Sequence, residues 1–86
     1  MFEVIWVPST MDDLAEIWTQ ASGVDRERIT EAVSVIDRVL KRRAPEAGES
    51  REEDRRILFE PPLGINFRVS EEHQTAVIAR VWRSSE

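Results

Sequence analysis

The chain has 86 residues, 41% of them hydrophobic and 34% charged, which fits one domain burying about 60 to 65% of its unfolded surface and excludes a wholly disordered chain. It has no cysteine, which excludes a disulfide framework and a thiolate metal site. The net charge is −5, with ten acidic and six basic side chains over residues 1–50 and seven and six over 51–86, so any attraction to nucleic acid must come from a local basic patch.

The opening MFEVIWVP lacks a basic start, and no apolar run approaches the roughly 18 residues of a membrane span. A soluble, unprocessed, cytoplasmic protein with no membrane partner is expected. Residues 2–7, FEVIWV, are β-branched and aromatic and stop at Pro8, which predicts a short strand. Ser9, with Asp12 three positions on, has the side chains of a helix N-cap. Met11, Leu14, Ala15, Ile17, Trp18 and Ala21 then recur at three- and four-residue steps, predicting a first helix with that stripe turned to the core. After ASGVD a stronger stripe runs through Ile29, Ala32, Val33, Ile36, Val39 and Leu40. The basic run KRR suits the C-terminal end of this second helix, and Pro45 stops it at Ala44. So short a link predicts an antiparallel helical hairpin.

PEAGESREED is polar and turn-rich and predicts a loop. Beyond it the apolar period falls to two. Residues 55–60, 64–69 and 75–83 alternate, with Ile57 and Phe59, then Ile65, Phe67 and Val69, then Val77, Ala79 and Val81 as the apolar phase. The short links PPL and SEEHQ predict hairpins, hence antiparallel strands. The expected architecture is a single two-layer α+β domain over residues 1–86. Its order is β-α-α-β-β-β, with an N-terminal helical hairpin packed on one face of an antiparallel sheet.

On that phase Arg56, Leu58 and Glu60, then Asn66 and Arg68, then Ile78, Arg80 and Trp82 face away from the helices. Two readings of this face follow. It is a solvated sheet surface on which arginine stems cover apolar area, or it is a place where guanidinium forks and an indole hold a phosphate backbone and its bases. Trp6 and Trp18 are assigned to the core. His73, beside Glu71 and Glu72, reads as a surface residue of a turn, because one histidine and two carboxylates do not complete a zinc site. Ser84 and Ser85 have no histidine nearby in sequence, and the three glycines form no phosphate loop. Neither a metal nor a cofactor is expected.

The strings VPSTMDDLAEIW, GESREEDRRILFEPPLGINFRV and VIARVWR resemble the RelE/ParE superfamily of toxin–antitoxin toxins, often labelled plasmid stabilisation proteins. The resemblance implies a small toxin neutralised by a cognate antitoxin whose segment wraps its helices and sheet. It also implies one of two targets: the ribosome, where RelE-like members cut messenger RNA with basic and C-terminal residues, or DNA gyrase, which ParE-like members poison. Carried over by position, Arg55 or Arg56 matches the basic residue of the second strand and Arg83 the basic residue after the last. Arg56 and Arg83 are thus the candidate catalytic pair, and Arg55, Arg68, Arg80 and Trp82 the candidate target-binding set. The basic position at the start of the third strand falls on Gly64, and there is no tyrosine. Without an evident proton-transfer group the expected activity is toxin-like binding of a macromolecular target. The alternatives are ribosome-dependent cleavage of messenger RNA and a non-toxic interaction module of the same fold.

Overall fold

The computed structural model describes residues 1–84. In chain order it contains β1 (Glu3–Trp6), α1 (Pro8–Gln20), α2 (Gly23–Arg43), a 3-10 turn (Ala44–Glu46), β2 (Glu49–Ser50), β3 (Arg55–Glu60), β4 (Leu63–Ser70) and β5 (Thr75–Arg83). The strands form one sheet in the order β1-β5-β4-β3-β2. β1 runs parallel to β5, and the other neighbours are antiparallel. The α+β class is as expected, but the sheet is mixed and five-stranded rather than antiparallel throughout. Parallel pairing needs a long crossover, and everything between β1 and β5 supplies it. β2 lies in a polar stretch with no apolar alternation to announce it. The reading of Ser85 lies outside the described residues.

The N-cap of α1 lies two residues earlier than the Ser9 cap expected from sequence. Pro8 occupies its first turn, where a missing N–H costs nothing and the ring presets φ; Val7 is the N-cap and makes no side-chain capping bond. α2 does have a side-chain cap, Ser22 Oγ accepting from the Asp25 N–H at 3.3 Å. Arg26, in the first turn of α2, donates to the carbonyls of Trp18 at 2.9 Å and Thr19 at 2.8 Å. It therefore adds a donor to the Trp18 carbonyl, which also accepts from the Ala21 N–H, supplies one to Thr19, and ties the end of α1 to the start of α2.

The α2 stripe is used as read: Ile29, Ala32, Ile36 and Leu40 are buried in one cluster with Leu63, Ile65 and Phe67 of β4 and Ala76, Ile78 and Val81 of β5. The α1 stripe is used only in part. Leu14 and Ile17 pack against the cluster, and Thr10 and Ala21 are buried, while Met11 and Trp18 stay 55% and 43% exposed. Trp18 is thus not the core residue its periodicity suggests. Trp6 is half-buried against the core, and its indole N–H donates to Asp37 Oδ1 at 3.0 Å, tying β1 to α2. No helix among the described residues is long and apolar enough to cross a membrane.

Hairpin register decides which arginines share a face. The β3–β4 turn is Pro61–Pro62 alone, so Glu60 pairs with Leu63, and Arg56, Ile57, Leu58 and Phe59 oppose Phe67, Asn66, Ile65 and Gly64. A three-residue link PPL would have placed Ile57 and Phe59 opposite the buried Phe67 and Ile65. One residue fewer turns the whole strand over. Leu58 and Arg56 therefore lie on the helix side and Ile57 and Phe59 on the outer side, the reverse of the expected phase.

β5 changes phase partway along. Asn66 pairs with Arg80 but Phe67 with Ile78, which leaves Ala79 as an unpaired bulge. Beyond it Val81 faces the core as expected. Before it Ala76 and Ile78 are buried, Val77 is half-buried and Ala79 is exposed, correcting the Val77/Ala79 reading. The bulge places Ile78, the largest aliphatic of that stretch, fully under the helices.

Candidate functional site

The outer face of the sheet, away from the helices, carries four of the six residues singled out in the sequence. Arg55 of β3 stands directly opposite Arg68 of β4, and Arg80 of β5 directly opposite Asn66. Cross-strand partners point to the same side, and Arg55, Arg68 and Arg80 are all exposed. None of the three guanidiniums makes a side-chain hydrogen bond or ion pair among the described residues. Two like charges held opposite each other repel in the free protein. The face therefore carries three unpaired guanidiniums on a chain of net charge −5; its carboxylate on β2, Glu49 opposite Ile57, is paired with Arg51.

Trp82 lies at the other end of this face, opposite Gly64. A Cβ built on Gly64 would meet indole atoms Cε2, Nε1 and Cζ2 at 2.6–2.8 Å. The glycine is what allows the ring to lie down on the strand. Phe59, opposite Gly64 from the other side, meets Trp82 edge-on, with ring centroids 6.1 Å apart and planes at 80°. The two rings form a floor and a wall, and Phe59 remains 54% exposed. Sequence reading missed Phe59 because it took the strand in the wrong phase. The glycine facing a tryptophan across a hairpin was the available signal for the ledge.

The proposed catalytic pair sits elsewhere. Arg56, expected on the outer face, faces the helix side, and its Nε donates to Ala47 O at 2.6 Å and its Nη2 to Gly48 O at 3.2 Å. Gly48 has φ +67°, and a Cβ there would run into the Ile57 carbonyl oxygen. The arginine thus clamps a loop that only glycine can pass through. Arg83, the other half of the expected catalytic pair, stands opposite the buried Leu63 and so shares its side. Its Nη2 lies 2.6 Å from Asp25 Oδ2 at the start of α2. His73 stays in the β4–β5 turn, its Nδ1 3.1 Å from Ser70 Oγ, and among the described residues no cluster of three metal-ligating side chains forms.

No protein-family model matches the chain, and no curated protein matches it in sequence. Its fold is similar to a chain of the toxin–antitoxin complex RelBE2 from Mycobacterium tuberculosis, with a TM-score of 0.72 and 23% identity over 95% of this chain and 96% of that one. The chromosomal ParDE system of P. aeruginosa matches with a TM-score of 0.67 and 22% identity over 99% and 98% of the two chains. The isolated RelE toxin of E. coli matches with a TM-score of 0.62 and 13% identity over 100% and 87%. The chain has the RelE/ParE toxin fold.

Within this RelE/ParE fold a second surface comes from the unused part of the α1 stripe. Met11, Ala15 and Trp18 line a groove of about 390 Å³ with Thr30 and Val33 of α2, and its walls are almost wholly apolar. At its end the Arg26 guanidinium lies over the Trp18 ring, 4.4 Å from the centroid. The helical hairpin thus presents an apolar cleft to solvent while its opposite side closes the core.

Proposed function

We propose that the chain is the toxin-like component of a toxin–antitoxin pair, acting by binding a macromolecular target through its outer sheet face and neutralised by a cognate antitoxin. The observation that carries this reading is the likeness in fold, along at least 95% of this chain, to RelBE2, ParDE and RelE structures. Three unpartnered arginines and an aromatic ledge give the outer face the chemistry of a recognition surface. The α1–α2 groove has the shape and lining to seat the apolar side of an amphipathic helix, and we assign it to the antitoxin.

Binding is favoured over cleavage of messenger RNA by the state of the candidate catalytic arginines. Nε and Nη2 of Arg56 engage the carbonyls of Ala47 and Gly48, and Arg83 is paired with Asp25. A scissile phosphate would have to compete with both sets of partners. Induction of the chain alone in a growing bacterium tests the reading. Growth should stop and should resume when the antitoxin is co-expressed; normal growth at high protein level rejects it. Intact messenger RNA during the arrest separates binding from cleavage.

A further inference from the structure

We infer that the outer sheet face recognises an acidic protein segment carrying one large apolar side chain. The inference rests on the binding reading above and names the chemistry of the partner at that face. Three observations converge. Arg55 and Arg68 are held opposite one another with no ion pair among the described residues, Glu49 on the same face being paired with Arg51, and Arg80 stands on the neighbouring strand beside Asn66. That arrangement destabilises the free protein slightly and is relieved by an anion lying across the strands. Next to the charges Phe59 and Trp82 meet at 80°, a corner with an apolar floor and an apolar wall. Phe59 is 54% exposed, so the wall of this corner stands open to solvent.

The charge balance selects the partner. A nucleic acid presents a phosphate at every nucleotide and gains affinity by multiple cationic contacts, whereas here three guanidiniums stand on a chain of net charge −5. The surrounding field opposes a long polyanion. A peptide segment with two or three carboxylates needs no more cations than these and uses the corner for its apolar residue. Arginine beside tryptophan, with a desolvated apolar contact at its edge, is the composition of a protein-binding hot spot. The carboxylates would take the forks of Arg68, Arg80 and Arg55, and the apolar side chain would rest against Trp82 and Phe59.

The test is direct titration of the purified protein with a fluorescent peptide of glutamates flanking one phenylalanine. A glutamate peptide without the phenylalanine, an uncharged phenylalanine peptide and a single-stranded RNA oligomer serve as comparators. The complete peptide should bind tightest, and its affinity should fall about tenfold in Arg68→Gln/Arg80→Gln. Phe59→Ser should weaken the complete peptide while leaving the glutamate-only peptide unchanged; Gly64→Ala, which displaces the indole, should do the same. Because Arg68, Arg80 and Phe59 are exposed, those variants keep the fold, and Phe59→Ser carries the test if Gly64→Ala is unstable. Tighter binding of the RNA oligomer overturns the inference in favour of a nucleic acid. It is also overturned by absence of peptide binding or by affinity indifferent to the arginines. Loss of toxicity in cells with peptide binding intact would fault the toxin reading and leave this one standing.

Discussion

On the helix side of the sheet, Arg56 holds the carbonyls of Ala47 and Gly48, and Arg83 pairs with Asp25. On the outer side, Arg55, Arg68 and Arg80 carry the same charge with no partner among the described residues. Arg55 and Arg56 are neighbours in sequence, yet one strand's pleat gives the first to solvent and the second to the fold. The contrast teaches that an arginine's partners in this chain are set by strand phase, not by motif position. Phase in turn is set by one residue in a hairpin turn and one in a bulge. Helix-side changes should therefore register as lost stability, and outer-side changes as lost recognition.

The largest effect tests whether the two faces separate at all. Phe67→Ala, on the buried helix side, should cost about 3–5 kcal/mol in urea unfolding. Arg68→Ala, one residue along but exposed, should change stability by less than about 0.5 kcal/mol. Equal losses would erase the distinction. A sharper comparison uses adjacent arginines: Arg56→Ala should lose about 1.5–3 kcal/mol with its charge-assisted bonds to Ala47 and Gly48. Arg55→Ala should be neutral or slightly stabilising, because it relieves the repulsion with Arg68. If Arg55→Ala were the more damaging of the two, β3 would have to pair with β4 in the opposite phase.

The smallest effect concerns Arg83. Its pair with Asp25 is partly exposed, with side-chain accessibilities of 41% and 33%, so a double-mutant cycle of Arg83→Ala and Asp25→Asn should give a coupling of only about 0.2–1 kcal/mol, falling as salt rises. A coupling of zero would release Arg83 from the fold and reopen it as a residue that acts on a target.

How much of the fold and its surfaces was legible in the sequence follows from the strength of each local pattern. Ile29, Ala32, Ile36 and Leu40 repeat over three turns of one face, and the structure buries all four. In α1 the stripe was real, but periodicity reports that a helix has an apolar side and not how much of it the domain covers. Met11 and Trp18 are the surplus, and they build the groove. In β3, the sequence RRILFE offers apolar residues in both phases, Ile57 and Phe59 in one and Leu58 in the other. Nothing local could choose between them once the turn was taken as three residues instead of two. In β5 the bulge at Ala79 is a tertiary adjustment that brings Ile78 beneath the helices. Of the six candidate site residues, Arg55, Arg68, Arg80 and Trp82 share the outer face, while the two expected to be catalytic, Arg56 and Arg83, do not.

The most direct measurement of the role assigned to the outer face is growth of a bacterial culture after induction of Arg68→Ala/Arg80→Ala beside the unaltered chain, with antitoxin absent and soluble protein matched. Arrest is expected from the unaltered chain and near-normal growth from the double variant, whose unfolding midpoint should be unchanged. Arrest by the double variant as complete as that by the unaltered chain would contradict that role.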